Sequence, residues 1–301
     1  MDQNTINPLV SIVVNCYNGE KYLSEALNSV VKQTYKNWEL IFWDNQSTDK
    51  SKQILLSYKQ NKFKYFLAPK HTNLYEARNL AIKESKGIFI AFLDVDDWWN
   101  ESKLEKQIPY FKNPNVGLVY GNCWIVDERK IKKKIYKYKN NILPTGNIFY
   151  KLLNEYVISL PTIIVRKKIF KNNINPFDSQ YHIIGDFDFC IRLSLNWQIE
   201  CCQSPIAYNR IHQKNESIVN YNMQTAELEE WIRNVSIKSS IPENQIINLK
   251  NMVMFRKAKS FIKNNIYQSF IIFLKLPFGF LKLKLFINII LGFFNNLIKK
   301  K

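Results

Sequence analysis

Ile88-Phe89-Ile90-Ala91-Phe92-Leu93-Asp94-Val95-Asp96-Asp97 decides how this chain folds. Its first six residues are all apolar, which reads as a strand covered on both faces, and three acids crowd its carboxyl end. The same design recurs upstream. Leu9 to Val14 reads as a buried strand, Glu20 to Lys32 as a helix with Tyr22, Leu23, Ala26, Leu27, Val30 and Val31 on one face, and Glu39 to Trp43 as a second strand, closed by Asp44. Thr48 to Tyr58 is expected to be helical, Phe63 to Leu67 a strand, and Asn73 to Ser85 helical. Strand and helix in alternation predict a doubly wound α/β sheet with its ligand at the carboxyl ends of the strands.

Beyond residue 115 the pattern loosens. Strands are expected at Val116 to Tyr120, Cys123 to Val126, Ser159 to Val165 and Ile206 to Ile211, with a helix at Ile183 to Leu195. From Tyr221 onward every segment reads helical, which places a boundary near residue 218 and divides the chain into residues 1–217 and 218–301.

Asp94, Asp96 and Asp97 repel one another unless a cation sits among them. A hard divalent ion, Mg²⁺ or Mn²⁺, held by one or two carboxylates together with phosphate oxygens, suits that arrangement. The competing reading is helix capping, by Asp97 for a helix from Trp98 or Asn100, and by Asp49 for the helix that follows it. For Asp49 capping is the favoured reading.

Several segments in order resemble the family 2 inverting glycosyltransferases: Pro8 to Asn18, Gln33-Thr34-Tyr35 with Trp38-Glu39, Asp44 to Asp49, Ala77-Arg78-Asn79, Phe92 to Asp97 with its Asp-x-Asp motif, and Gly185 to Asp188 leading into Ile191-Arg192-Leu193. The likeness covers residues 8–217. It implies a GT-A fold, Rossmann-like and mostly parallel with flanking helices, here followed by a C-terminal helical region. It also implies a nucleotide-diphosphate sugar donor, expected to be a UDP-sugar, and a divalent metal, Mn²⁺ or Mg²⁺. Carried over by position, Asp44 would accept a hydrogen bond from the base and Tyr17 would line the base pocket. Asp94 would face the ribose and Asp96 would hold the metal. Arg78 would either neutralise phosphate or anchor Asp94, and Asp186 would be the catalytic base. His212, in Tyr208-Asn209-Arg210-Ile211-His212, would approach the metal or the diphosphate.

The chemistry of Asp186 can be argued independently. An inverting transfer is one in-line displacement, and one carboxylate takes the proton of the attacking hydroxyl. A metal on the departing diphosphate removes the need for an acid, whereas a glycoside hydrolase needs two carboxyls. Capping of the helix from Phe187 is the alternative for Asp186. Asp188 is expected to support the site or to face Arg192, and His71 and His182 are read as structural. The sequence departs from the family at Asn15-Cys16, Asn45-Gln46 and Gly185, and Asn73 stands where a glycine is common, being tolerant of left-handed geometry.

The chain has 301 residues, and 43 basic against 25 acidic side chains leave it at +18. Seven Lys/Arg lie between Arg129 and Lys139, expected to be a hairpin or loop that is solvated or guides a phosphate-bearing acceptor, and eleven follow Glu243, the last acid. Basic segments seek phosphate, on nucleic acid or on an anionic membrane. Strand-end acids would repel nucleic acid, so no nucleic-acid partner is expected. Leu285 to Ile298 runs fourteen residues without charge, short of the roughly 18–20 that span a bilayer. Read as a helix, Lys282 to Lys299 is apolar apart from a stripe of Lys284, Asn288, Gly292, Asn295 and Lys299, which suits a membrane interface. Packing against the catalytic domain or a second copy is the alternative. Five cysteines without a Cys-x-x-Cys pair fit a reducing compartment, and no signal peptide is expected in Met1 to Pro8.

The expectation is therefore an inverting, metal-dependent glycosyltransferase, cytoplasmic and peripheral on the inner membrane face. It would extend a glycan acceptor, expected to be lipid-linked, in bacterial surface polysaccharide synthesis. Two other readings stand beside it: a sugar-phosphate nucleotidyltransferase, disfavoured by the lack of a glycine-rich phosphate loop, and a non-enzymatic basic module binding membrane or nucleic acid.

Overall fold

A computed structural model describes residues 7–129, 133–136, 142–170, 175–235, 240–262 and 265–298. The chain forms two compact units, residues 1–152 with 156–213, and residues 153–155 with 214–301.

The first unit opens with β1 (Val10–Cys16), α1 (Glu20–Val31), β2 (Trp38–Asp44), α2 (Ser51–Ser57), β3 (Phe63–Leu67), α3 (Leu74–Lys83) and β4 (Phe89–Phe92). There follow β5 (Trp98–Trp99), α4 (Lys103–Gln107), β6 (Val116–Asp127), β7 (Lys133–Tyr136), α5 (Phe149–Asn154), β8 (Ile164–Arg166), α6 (Gly185–Ser194) and β9 (Gln198–Ile211). One sheet runs β3-β2-β1-β4-β8-β6-β9-β5, with β7 paired to β6. The pairs β3–β2, β2–β1 and β1–β4 are parallel, so β2 and β4 deliver Asp44 and the acids after Leu93 to the same sheet edge. Beyond β4 the sheet is mixed, because β8 is antiparallel to both neighbours and β9 is again parallel to β6. Period-two alternation sends Val10, Ile12, Val14 and Cys16 of β1 into one core with Leu23, Ala26, Leu27 and Val30 of α1.

Several expectations are corrected here. Trp98–Trp99 is a strand paired to β9, so Asp97 caps no helix there. The strand expected from Ser159 begins instead with a 3₁₀ turn, Leu160–Thr162, and β8 is confined to Ile164–Arg166. Val116–Tyr120 and Cys123–Val126 are one strand, β6, and β9 starts eight residues before Ile206. Asn73 is extended, at φ −69°, and its side chain accepts from the Glu76 N–H as the N-cap of α3; it therefore uses its amide and not left-handed tolerance. Asp49 does not hold a cap position, which Gly19 and Lys50 occupy for α1 and α2, but its carboxylate accepts the N–H groups of the first helical residues, Glu20 and Ser51, each at 2.9 Å. The Arg129–Lys139 run begins with Arg129 gripping Asp127 at 2.8 Å and includes β7. Residues 130–132 and 137–141 lie outside the described residues, as do Met1 to Ile6 of the segment read for a signal peptide.

The second unit holds α7 (Glu216–Val219), α8 (Tyr221–Asn234), α9 (Glu243–Phe261), α10 (Ile266–Lys275) and α11 (Phe280–Ile298). Phe255, Ala258, Ile262, Leu276 and Leu285 form its small core, with Leu281 and Ile289 packed against it. One edge of α11 is thus used in packing within the unit. Phe286, Ile287, Ile290 and Leu291 stay exposed. The side chains of residues 292–301, Gly292, Asn295 and Lys299 of the expected stripe included, lie outside what is described. No helix among the described residues is long and apolar enough to cross a membrane.

Candidate active site

Asp44 ends β2 almost wholly buried, and its carboxylate accepts the Ser47 N–H at 2.8 Å and the Tyr65 hydroxyl at 2.9 Å. Those bonds fix the loop that leaves the strand, and spare lone pairs remain for a further donor. Tyr17, at the end of β1, is exposed and lies against His71, ring centroids 4.4 Å apart. His71 Nδ1 is 2.9 Å from the Asn45 carbonyl oxygen. The histidine read as structural is therefore Tyr17's neighbour, and nothing in its sequence surroundings signals this.

The acids after β4 have separate environments. Arg78, on α3 and buried, donates to Asp94 at 2.5 Å with its guanidinium over the Tyr75 and Phe177 rings. Burial works against its charge, but Asp94, Tyr75 and Asp186 outweigh that and hold it protonated. Arg78 is thus paired with Asp94. Asp96 Oδ2 lies 3.0 Å from His212 Nε2, and burial together with the Asp94 charge pushes its carboxyl up. Asp97 is buried and accepts the Arg210 N–H at 2.8 Å; burial, then the charges of Asp96 and Asp94, push it well above the ordinary range.

Asp186 sits in the first turn of α6, and Ile184 occupies the cap position. Its Oδ1 accepts the Phe187 N–H at 2.9 Å and faces the Tyr75 hydroxyl at 3.4 Å. That hydroxyl donates to the Ile183 carbonyl at 2.7 Å, so Tyr75 anchors the entry to α6. Burial raises the Asp186 pKa, opposed by the charge of Arg78. Asp188 pairs with Arg192 at 2.7 Å, one turn along the helix. Tyr75 links the two corners, since its ring carries Arg78 and its hydroxyl reaches Asp186. Sequence reasoning missed it, although its place three residues before Arg78 on a helix was a usable signal.

No group of three or more His, Cys, Asp or Glu able to hold a metal is found among the described residues. The donors that do converge are the Asp96 carboxylate and the His212 imidazole. An oxygen and a nitrogen donor, with the remaining positions left to phosphate and water, fit a divalent ion of the Mn²⁺ type.

With this geometry established, comparison with known proteins is informative. The sequence profile of Glycosyl transferase family 2 matches residues 11–173. The chain belongs to glycosyltransferase family 2. Among its relatives, the Escherichia coli UDP-Glc:alpha-D-GlcNAc-diphosphoundecaprenol beta-1,3-glucosyltransferase WfgD is 33% identical over 187 residues, 62% of this chain and 69% of WfgD. Two Rickettsia glycosyltransferases match over only 26% and 30% of their own lengths. Staphylococcus aureus TarS 1–349, solved with UDP-GlcNAc, superimposes with a TM-score of 0.62 at 21% identity, covering 89% of this chain and 81% of TarS 1–349. The Pyrobaculum calidifontis mannosyltransferase PcManGT, solved with GDP-Man and Mn²⁺, gives 0.63 at 12% identity, covering 98% and 88%. These likenesses establish the GT-A fold, and family 2 membership makes the protein a glycosyltransferase. Both other readings, the nucleotidyltransferase and the non-enzymatic basic module, fall away.

Proposed function

We propose that this family 2 enzyme moves a sugar from a UDP-sugar to a hydroxyl of a lipid-linked glycan, with inversion at the anomeric carbon. The observation that carries the reading is Asp186. A single carboxylate, its proton affinity raised by burial, faces the corner where Arg78 and Asp94 meet. A raised pKa makes it a stronger base, suited to taking the acceptor hydroxyl's proton as the oxygen attacks. Tyr17 and His71 would flank the base, Asp44 would accept from it, and Asp94, steadied by Arg78, would take the ribose hydroxyls. Asp96 and His212 would hold the divalent ion, Mn²⁺ or Mg²⁺. Bound there, such an ion supplies positive charge to the departing diphosphate.

The donor and acceptor follow WfgD, whose name specifies UDP-Glc and a diphosphoundecaprenol-linked sugar. Donor binding is assigned to residues 1–217. Residues 218–301 would hold the enzyme peripherally on the inner face of the membrane, where a polyprenyl-linked acceptor for bacterial surface polysaccharide synthesis is met. In support, Phe278, between α10 and α11, is fully exposed and Phe280, the first residue of α11, is three-quarters exposed, close in sequence to Lys275, Lys282 and Lys284.

The test is transfer from UDP-Glc, UDP-GlcNAc and GDP-Man to a polyprenyl-diphosphate-linked sugar, with Mn²⁺ or with chelator, and the product linkage read by NMR. A β-linked product from an α-linked UDP-sugar, lost on chelation and in Asp186→Asn, is expected. Retention of configuration, or full activity in Asp186→Asn, would sink the reading.

A further inference from the structure

Arg210 lies on β9, and His212 follows two residues later, just past the end of the strand at Ile211. Its side chain is buried, only 8% exposed. Its Nε donates to the Asp96 carbonyl oxygen at 2.8 Å, and its backbone N–H donates to the Asp97 carboxylate at 2.8 Å. The fork of the guanidinium pairs with Glu25 of α1 and Glu128 beyond β6. The rings of Tyr22 and Trp98 each lie 4.5 Å from it. The stack continues on both sides. Trp98 lies parallel to Tyr208, 4.9 Å away at 3°, and Tyr22 meets the ring of His212 at 5.2 Å. Tyr22 is itself tied down, donating to Glu128 at 2.7 Å.

We propose that Arg210 is a positioning residue that sets Asp96 and His212 at the separation a divalent ion requires. This rests on the assignment of that pair as metal ligands. One guanidinium fixes the backbone from which Asp96 hangs and, through Tyr22, the ring plane of His212. Its two carboxylate partners and two ring neighbours commit it, so it is no free cation for the diphosphate. The task needs a planar fork with several donors and an apolar face, which Lys cannot reproduce.

The test compares wild type, Arg210→Lys and Glu25→Gln by calorimetry with UDP, with and without Mn²⁺. A metal-free readout is the rate at which diethyl pyrocarbonate modifies His212, mapped by mass spectrometry with His182 as the internal reference; the chain has three histidines. Arg210→Lys should weaken Mn²⁺-dependent UDP binding by about 10–100-fold, the range seen when the partners of metal ligands are removed. It should speed His212 modification relative to His182 while leaving metal-independent UDP binding unchanged. Glu25→Gln, which keeps the size of its side chain, should shift both readouts in the same direction but less, and it carries the test if Arg210→Lys does not fold. Wild-type values in the variants would overturn the inference alone. A wild type that binds UDP equally with and without Mn²⁺ would overturn it together with the metal assignment.

Discussion

The ring of Tyr75 occupies the space that a side chain at position 185 would need. A Cβ built on Gly185 would meet ring atoms of Tyr75 at 2.7 Å, closer than real contacts allow. The glycine before the proposed base is therefore the complement of a tyrosine from α3. The volume left open at Gly185 brings a phenol to the turn that carries Asp186.

Gly185→Ala should displace Tyr75 and loosen the entry to α6. Overpacking of this kind costs about 1–3 kcal/mol. Thermal melting should fall, transfer should drop more than UDP affinity, and Tyr75→Leu in the same chain should restore part of the melting temperature. An unchanged rate in Gly185→Ala would separate Tyr75 from the base.

Burial raises the Asp186 pKa, and a base acts only when deprotonated. The acid limb of the kcat/KM profile should therefore lie above the ordinary Asp value of about 3.9. Arg78 opposes the shift, so Arg78→Met should move the limb further up. The stability sign follows from the same direction. Above the folded-state pKa, folding carries the full penalty of a disfavoured charge, and below the unfolded value it carries none. Asp186→Asn should melt higher than wild type at pH 8 and lose that advantage as the pH falls through 4.

Lys103 is fully buried, its Nζ donating to Gln107 at 2.8 Å and lying 4.3 Å from the Trp99 ring. Burial pulls its pKa well below the ordinary lysine value. The penalty is full at low pH and vanishes above the unfolded value of about 10.4. Lys103→Met should raise the Tm at neutral pH, by about 2–4 °C for each kcal/mol recovered, with the gain shrinking as the pH approaches 10.

Phe278 and Phe280 should dominate binding to a lipid surface. Replacing both by Glu should weaken co-sedimentation with anionic vesicles by at least about tenfold, and 0.5 M salt should weaken the wild type too. Undiminished binding by the double variant would remove the tip from the membrane reading.

The first half of the sheet was legible because β1, β2 and β4 are nearly continuous apolar runs and β2 and β4 each end in acids. The second half was less so. Leu160 to Thr162 is as apolar as a strand, yet Pro161 lacks an N–H for a ladder and the segment turns as 3₁₀. Capping stood as the competing reading for Asp97 because a cap and a carboxylate that ties two strands are both an acid ahead of a new element. Only the arrival of β9 distinguishes them, 113 residues later. The individual motif residues could be carried over one by one. Their supporting partners, Tyr75 and Arg210, act across elements and leave no mark in local spacing.

Asp96 and His212 are 116 residues apart in the chain. Synthesis proceeds from the N-terminus, so the acids after β4 are made long before β9 emerges to face them. Arg78 is already present to pair with Asp94, but until then Asp96 and Asp97 lack Arg210, Asn209 and His212 to hold them against the mutual repulsion. The end of the last strand of the first unit thus supplies partners of Asp96 and Asp97 only late in synthesis. Nascent chains halted short of residue 205 should be cut by protease within the loop after Leu93, whereas chains carried past residue 212 should resist.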